Sequence, residues 1–150
     1  MGTVSAGKIL SVNIGKKVGA KKDPVGECRL IVNTGIEGDA HAGILPNRQV
    51  SLLATESIET IRNKGLDIHY GDFAENLTTE GIVLHLLPLG TRMKIGPDVL
   101  MEVSQIGKVC HDRCAIFNTI GDCVMPREGI FVKVLTEGVI RVGDEITLVS

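Results

Sequence analysis

The chain has 150 residues and a formal net charge of −2, with 43% hydrophobic and 23% charged residues, no Trp, one Tyr and three Phe. This length points to one domain, large enough to bury a core without disulfides or metal. There is no basic stripe and there are few stacking aromatics, which excludes the usual nucleic-acid binders, and no apolar run approaches the roughly 20 residues that span a bilayer.

In chain order, the opening MGTVSAGKILSVNIGKK has no apolar core of signal-peptide length. A cytoplasmic location is therefore expected, where thiols stay reduced. KILSVNI alternates and is rich in β-branched residues, which predicts a strand. The lysine cluster GKKVGAKKD ends at Asp23 and reads as a solvated loop or as a patch steering an anion, the solvated loop being the expectation. CRLIVN and RQVSLLA are further strands, and the apolar pattern around Cys28 predicts a core thiol. A helix should follow. Thr55 is its cap, Glu56 and Glu59 lie in its first turns, Ile58 and Ile61 on its buried face, Arg62 and Lys64 near its end, and Gly65 at its stop.

The long connection through YGDFAENLTTEGIVLHLLPLG reads as an ordered functional loop. RMKIG and VLMEVSQI are strands about a GPD turn. A second short helix is expected from about Asp112 to Gly121. IFVKVL, a short strand after TEG, and EITLV then read as a compact meander. The sum is an α+β, β-rich domain over residues 1–150, a strongly curved, mostly antiparallel sheet or β-barrel with a few short helices.

Several stretches offer chemistry. In GIEGDAHAG, Asp39 and His41 are two apart and point the same way in extended chain. Either the carboxylate orients the imidazole, or Asp39 bonds its own turn. Arg48 stands before an apolar strand, where its planar fork would suit a phosphate or carboxylate; it is equally readable as a surface arginine. Asn76 in GDFAENLTTEGI either pins its loop or bonds the edge of a ring ligand.

GKVCHDRCAIFNTIGDCVMPREGIF holds three of the four cysteines. The spacing C-x3-C-x8-C of Cys110, Cys114 and Cys123 departs from the tight pairs of zinc sites. Lys108, His111 and Arg113 surround Cys110, and positive neighbours favour thiolate. A reactive thiol, a metal ligand and ordinary packing all remain open on spacing alone.

Taken together, GIEGDAHAG, RQVSLL, GDFAENLTTEGI, LPLGTRMKIG, VSQIGKVC and REGIFVKVLTEGVIRVGDEI resemble, in order, the MOSC domain, named after the C-terminal region of molybdenum cofactor sulfurases. The resemblance runs from about residue 6 to 149 and is closest to short bacterial members. It implies a barrel of the PK β-barrel type and a cysteine that carries sulfur or ligates molybdenum in a pterin cofactor. Counted from Gln105, that cysteine is Cys110, catalytic and metal-binding in one atom. Val109 stands where many relatives have proline.

For the anionic pterin cofactor that the resemblance implies, Arg48, Arg127 and the Lys16–Lys17 pair are the phosphate partners by their chemistry, Arg113 is a further cofactor-binding candidate, and His41 and Asn76 would hydrogen-bond the pterin or shape its pocket. Implied partners are molybdenum cofactor biosynthesis proteins or a cysteine desulfurase, which would itself carry the pyridoxal phosphate. A small N-oxygenated substrate follows if the cofactor is reductive. The other readings are a non-catalytic oxyanion or pterin-binding module, and a small zinc protein using Cys110, Cys114 and Cys123.

Overall fold

A computed structural model describes residues 3–17, 21–40, 42–107 and 128–149, with backbone alone for 3–6. The second helix expected from Asp112 lies outside the described residues.

The first strand, β1 (Thr3–Ile14), is long enough to serve several neighbours in turn. It pairs with β11 (Glu145–Val149) along its first half, then with β6 (Leu77–Glu80), and at its end with β2 (Asp23–Val25). Register shifts between Ser5 and Gly7 and between Ile9 and Ser11 bend it, as bulges do. Gly7 lies at the first bend, where a Cβ would run into the Glu80 carbonyl oxygen, so only glycine admits that approach.

The sheet continues through β7 (Arg92–Ile95), β8 (Val99–Ile106), β9 (Ile130–Thr136) and β5 (Val50–Ala54). The order is β11-β7-β8-β9-β5-β6-β1, closed by the β11–β1 pairing into a seven-stranded barrel with β2 hanging on β1. The curved, mostly antiparallel barrel expected from the strand pattern is what forms. Among the described residues only β5 and β6 pair in parallel, with Leu52 opposite Leu77, because a helix lies between them in the chain and carries it back to the same end.

Three expectations need correction. LTTE is not loop but β6, buried between β1 and β5; its polar side chains hide a strand whose ladder partners lie on both sides. The C-terminal strands are not a meander. β10 (Gly138–Arg141) leaves the barrel and pairs with β3 (Glu27–Ile31), which also pairs with β4 (Gly35–Ile36) in a separate three-stranded sheet. Finally, Thr55 does not cap the helix α1 (Thr55–Arg62). β5 runs straight into it, Ala54 is the extended residue before it, and the Thr55 hydroxyl instead meets the Tyr70 hydroxyl at 3.0 Å. The stop is as expected: the Gly65 N–H bonds Arg62 O, with Gly65 at φ 100°.

The main core fills the barrel with Ile9, Val12, Leu52, Leu77, Met93, Met101, Val103 and Val132, and Cys28, Leu30, Ile36 and Ile140 of the small sheet join it. A second cluster lies outside the barrel wall, where Leu53 and Phe131 meet Ile58, Ile61, Ile68 and Phe73 under α1. β5 is therefore buried on both faces. Each wholly buried Leu or Ile contributes about 1.5–3 kcal/mol relative to exposure, which is why α1 stays docked despite only eight residues. Among the described residues no helix is long and apolar enough to cross a membrane.

Candidate functional site

One hydrogen-bonded row crosses the barrel wall: Ile106 faces Ile130, Ile130 faces Leu52, Leu52 faces Leu77, and Leu77 faces Val12. The cysteine-bearing stretch departs just past the first residue of this row and returns just before the second. The Gly107 N–H bonds Gly129 O at 2.7 Å, so the departing and returning chains are tied together at their root. His41, Cys110, His111, Arg113, Cys114, Cys123 and Arg127 lie outside the described residues.

On the next row sit Gln105, Phe131 and Ser51, as Cα partners on β8, β9 and β5. Arg48 lies across this row. Its Nε donates to Gln105 Oε1 at 3.2 Å, and its guanidinium stands 5.5 Å from the Phe131 ring centroid. Gln105 in turn donates to Gly107 O at 2.9 Å. Arg48 is thus held by a hydrogen bond and a cation–π contact, half-buried, at the root of the cysteine stretch. Among the described residues its terminal nitrogens carry no hydrogen bond, and they keep the planar fork that suits an oxyanion.

Asn76 is reached through Ser51. It is wholly buried. Its Oδ1 accepts the Ser51 N–H at 3.0 Å and the Ser51 hydroxyl at 3.2 Å, and its Nδ2 donates to Asn13 O at 3.2 Å. Of the two roles read from the sequence, this geometry is that of pinning the loop, because the amide is spent on the chain itself. Glu75 beside it is also wholly buried. Its carboxyl accepts from the Phe73 N–H and the Thr78 hydroxyl, at 3.1 and 3.0 Å. Burial pushes its pKa up from the ordinary glutamate value, against those hydrogen bonds, which pull it down.

Asp39 was expected either to orient His41 or to bond its own turn. Its Oδ1 accepts the Gly15 N–H at 3.0 Å and the Lys22 ammonium at 2.8 Å, with both side chains of the ion pair sealed from solvent. Ala40 N–H bonds Gly15 O at 2.8 Å, so Gly15 and Lys22 are both fastened to the Asp39–Ala40 turn. The solvated-loop expectation for the lysine cluster is therefore corrected at one position: Lys16, Lys17 and Lys21 are exposed, but Lys22 is buried. Lys22 N–H also bonds Gly71 O. Gly71 has φ 96°, and a Cβ there would meet the Lys22 carbonyl oxygen, so glycine is needed for this contact too.

A cavity of about 300 Å³ opens between the start of α1 and the 81–85 loop. It is lined by Ala54, Glu56, Ser57, Gly81 and Ile82, and by Val83, Leu84, His85 and Glu128. The Glu56 carboxylate accepts the Gly81 N–H at 2.9 Å and so bridges the two walls, and Ser57 Oγ donates to Glu128 Oε1 at 2.6 Å. Sequence reading missed this pocket, since Glu56 looked like a helix-dipole residue and Glu128 was read only as part of the REGIF motif, with no role of its own.

Cys28 is the core thiol the sequence suggested: 6% exposed in the strand that pairs with β10. Burial, then the charges of Asp39 and Glu27, push its pKa up to about 12. Among the described residues no group of His, Cys, Asp and Glu is placed to hold a metal ion.

The MOSC domain family profile matches residues 37–147. The chain belongs to the MOSC domain family. Among solved structures, the YuaD protein from Bacillus subtilis has a TM-score of 0.81 at 19% identity, over 98% of this chain and 97% of that one. YiiM from Geobacillus stearothermophilus gives 0.64 at 21% identity, over 99% and 76%. YiiM from Escherichia coli gives 0.68 at 20%, over 96% and 69%. At such identities these likenesses show the fold alone. No curated protein matches the chain in sequence.

Proposed function

We propose that this MOSC domain acts in the cytoplasm through Cys110, binding a pterin molybdenum cofactor or carrying sulfur for its maturation. The observation that carries the reading is Arg48. It is braced on Gln105 and Phe131 beside the tied root of the Cys110 stretch, with its terminal nitrogens available to an anion. Cys110 is three residues beyond Gly107, and three residues of chain reach at most about 11 Å. That reach supports a reading in which an oxyanion held by Arg48 and the Cys110 sulfur share one neighbourhood.

The donor set suits the cofactor on the Arg48 side and not in the Glu56–Glu128 cavity, whose carboxylates would repel a phosphate. Arg48, Arg113 and Arg127 would hold the phosphate, His41 would hydrogen-bond the pterin, and Cys110 would supply a soft thiolate. When bound, the group supplies the metal redox chemistry, for which a small N-oxygenated compound is the substrate class. Asn76 shapes the wall behind this region rather than meeting the ligand.

In the carrier mode, the Cys110 thiolate attacks the outer sulfur of a persulfide on a pyridoxal-phosphate cysteine desulfurase. The donor S–S bond breaks, the donor cysteine leaves as thiolate, and Cys110 keeps the sulfur as its own persulfide. Basic neighbours raise the thiolate fraction that this attack requires.

The test is elemental analysis with intact mass on protein from a molybdate-supplied host. Molybdenum near one per chain, or a reducible gain of one sulfur, is expected, and Cys110→Ser should abolish whichever is found without lowering the melting temperature. Stoichiometric zinc, or a load that survives Cys110→Ser, would overturn the reading.

A further inference from the structure

β8 carries an extra residue near its end. Val103 faces Val132 and Gln105 faces Phe131 on β9, so three residues of one strand stand against two of the other, and Ser104 is the surplus one. Such a bulge bends its strand and re-aims the side chains beside it. In a regular strand, neighbouring side chains point to opposite faces. Here two consecutive ones reach the same loop. Ser104 Oγ donates to Asn47 O at 2.7 Å, and Gln105 Oε1 accepts the Arg48 Nε–H at 3.2 Å. The loop also holds itself, since the Arg48 N–H bonds Leu45 O and the Gln49 amide donates to Pro46 O, both at 3.1 Å. The Arg48 backbone is thus set by its loop, and its side chain by the bulged strand.

Both ends of the Gln105 amide are engaged. Oε1 faces Arg48, and Nε2 donates to Gly107 O at 2.9 Å. The reversed amide would set N–H against N–H at Arg48 and oxygen against oxygen at Gly107, so this network admits one orientation. That orientation decides which edge of the guanidinium is used up. The side edge includes Nε, which Gln105 already occupies. The end edge, Nη1 and Nη2, carries no hydrogen bond among the described residues. Gln105 is also a neutral acceptor, so it orients the guanidinium without cancelling its charge.

We propose that Gln105 is a positioning residue for anion binding: it turns Arg48 so that a phosphate group is taken end-on, by two parallel N–H···O bonds from Nη1 and Nη2. The inference rests on the reading of Arg48 as the anion's partner. Gln105 itself touches no ligand and acts through Arg48 alone. A pre-set fork binds more tightly than a free arginine, because less side-chain freedom is lost when the ligand arrives. A glutamate at 105 would accept the same Nε–H bond but would quench the charge that the phosphate needs.

Inorganic phosphate is the probe, titrated into the full chain at constant ionic strength and followed by NMR of the arginine side-chain N–H groups. The Nε–H signal that vanishes in Arg48→Lys identifies Arg48. In the parent it should be protected from exchange, and phosphate should shift the Nη signals saturably. Gln105→Met keeps the shape and removes both bonds. It should expose the Nε–H to exchange and weaken phosphate roughly two- to tenfold, the effect of freeing one long side chain. Gln105→Glu should keep the Nε–H protected and yet weaken phosphate more than Gln105→Met does, by at least about tenfold. A merely structural role would rank the two variants the other way. Should Gln105→Met fail to fold, Gln105→Glu alone carries the test. No saturable phosphate binding, an Nε–H signal indifferent to Gln105→Met, or parental phosphate affinity in Gln105→Glu would each overturn the inference. The Cys110 load is read separately by metal content and mass, so a chain with neither molybdenum nor sulfur can still pass this test, and a loaded one can fail it.

Discussion

Lys22 Nζ and Asp39 Oδ1 lie 2.8 Å apart with both side chains sealed from water. This ion pair, with the Gly15 N–H on the same carboxylate oxygen, fastens the loop after β1 to the loop that leads to His41. A buried pair gains little over apolar packing, but breaking it strands a charge. Asp39→Asn or Lys22→Met alone should therefore cost about 3–5 kcal/mol. The combination Lys22→Met with Asp39→Asn should cost clearly less than the sum, because no lone charge remains. Urea midpoints over the double-mutant cycle measure this; strictly additive losses would show that the pair is not coupled.

Asn76 gives a different test, since its amide serves Ser51 and Asn13. Asn76→Ala leaves a buried N–H and a buried carbonyl unpaired, each worth about 1–3 kcal/mol. A loss of at least about 2 kcal/mol in unfolding free energy is expected. Were the amide instead a cofactor contact, the variant would melt like the parent and lose only its load.

The barrel was legible because alternation in VLMEVSQI and RMKI follows a wall with a wet side and a dry side. Cys28 was legible for the same reason. β6 was not, because LTTE is buried on a polar network in which Thr78 answers Asn13 and Glu75, and polarity was read as exposure. The exit of β10 to the small sheet was hidden because short strands do not declare their partners; only the pairing of Val139 with Arg29 and Ile140 with Cys28 decides it. The buried Lys22 could not be told from three exposed lysines in the same run, since what distinguishes it is Asp39, seventeen residues on. Arg48 was found by its place before a strand, whereas its support from Gln105 and Phe131 needed the fold.

The Glu75 carboxyl, raised in pKa by burial, makes stability depend on pH. The folded chain holds this proton to a higher pH than the unfolded chain does, so the contribution is complete below the ordinary glutamate range. It is lost as pH rises through the raised value. Glu75→Gln mimics the protonated form. Its stability should match or exceed the parent's at neutral pH, with a flatter pH profile across that window. Chemical denaturation at a series of pH values reads this directly, and a Gln variant that is much weaker throughout would show that the ionised carboxylate is what the loop requires.

Cys28, with its thiol pushed up to about 12, should stay unalkylated in the native protein at mildly alkaline pH. Peptide mapping after iodoacetamide should find it modified only once the chain is unfolded. The same shift sets a second sign. Stability carried by the protonated thiol is present below about 9, its unshifted value, and falls as pH rises toward 12. Cys28→Ala should lower the unfolding midpoint and leave any Cys110-linked load untouched. Native labelling of Cys28 would remove it from the core.

Arg48 separates a charge from a fork. Its stability role is small, because Arg48 itself is only half-buried, and surface-side substitutions of this kind shift stability by about 0.5 kcal/mol. Its functional role should be larger. Arg48→Gln removes the anion's partner, and retention of a phosphate-bearing cofactor should fall about tenfold, the scale of one charge-assisted pair. Arg48→Lys keeps the charge but loses both the stacked plane and the two-pronged donor, so it should resemble Gln more than the parent. Equilibrium dialysis of the two variants against the parent settles the point. A lysine variant that retains its ligand fully would mean that the barrel offers only a positive field there, and that the brace on Gln105 and Phe131 serves packing alone.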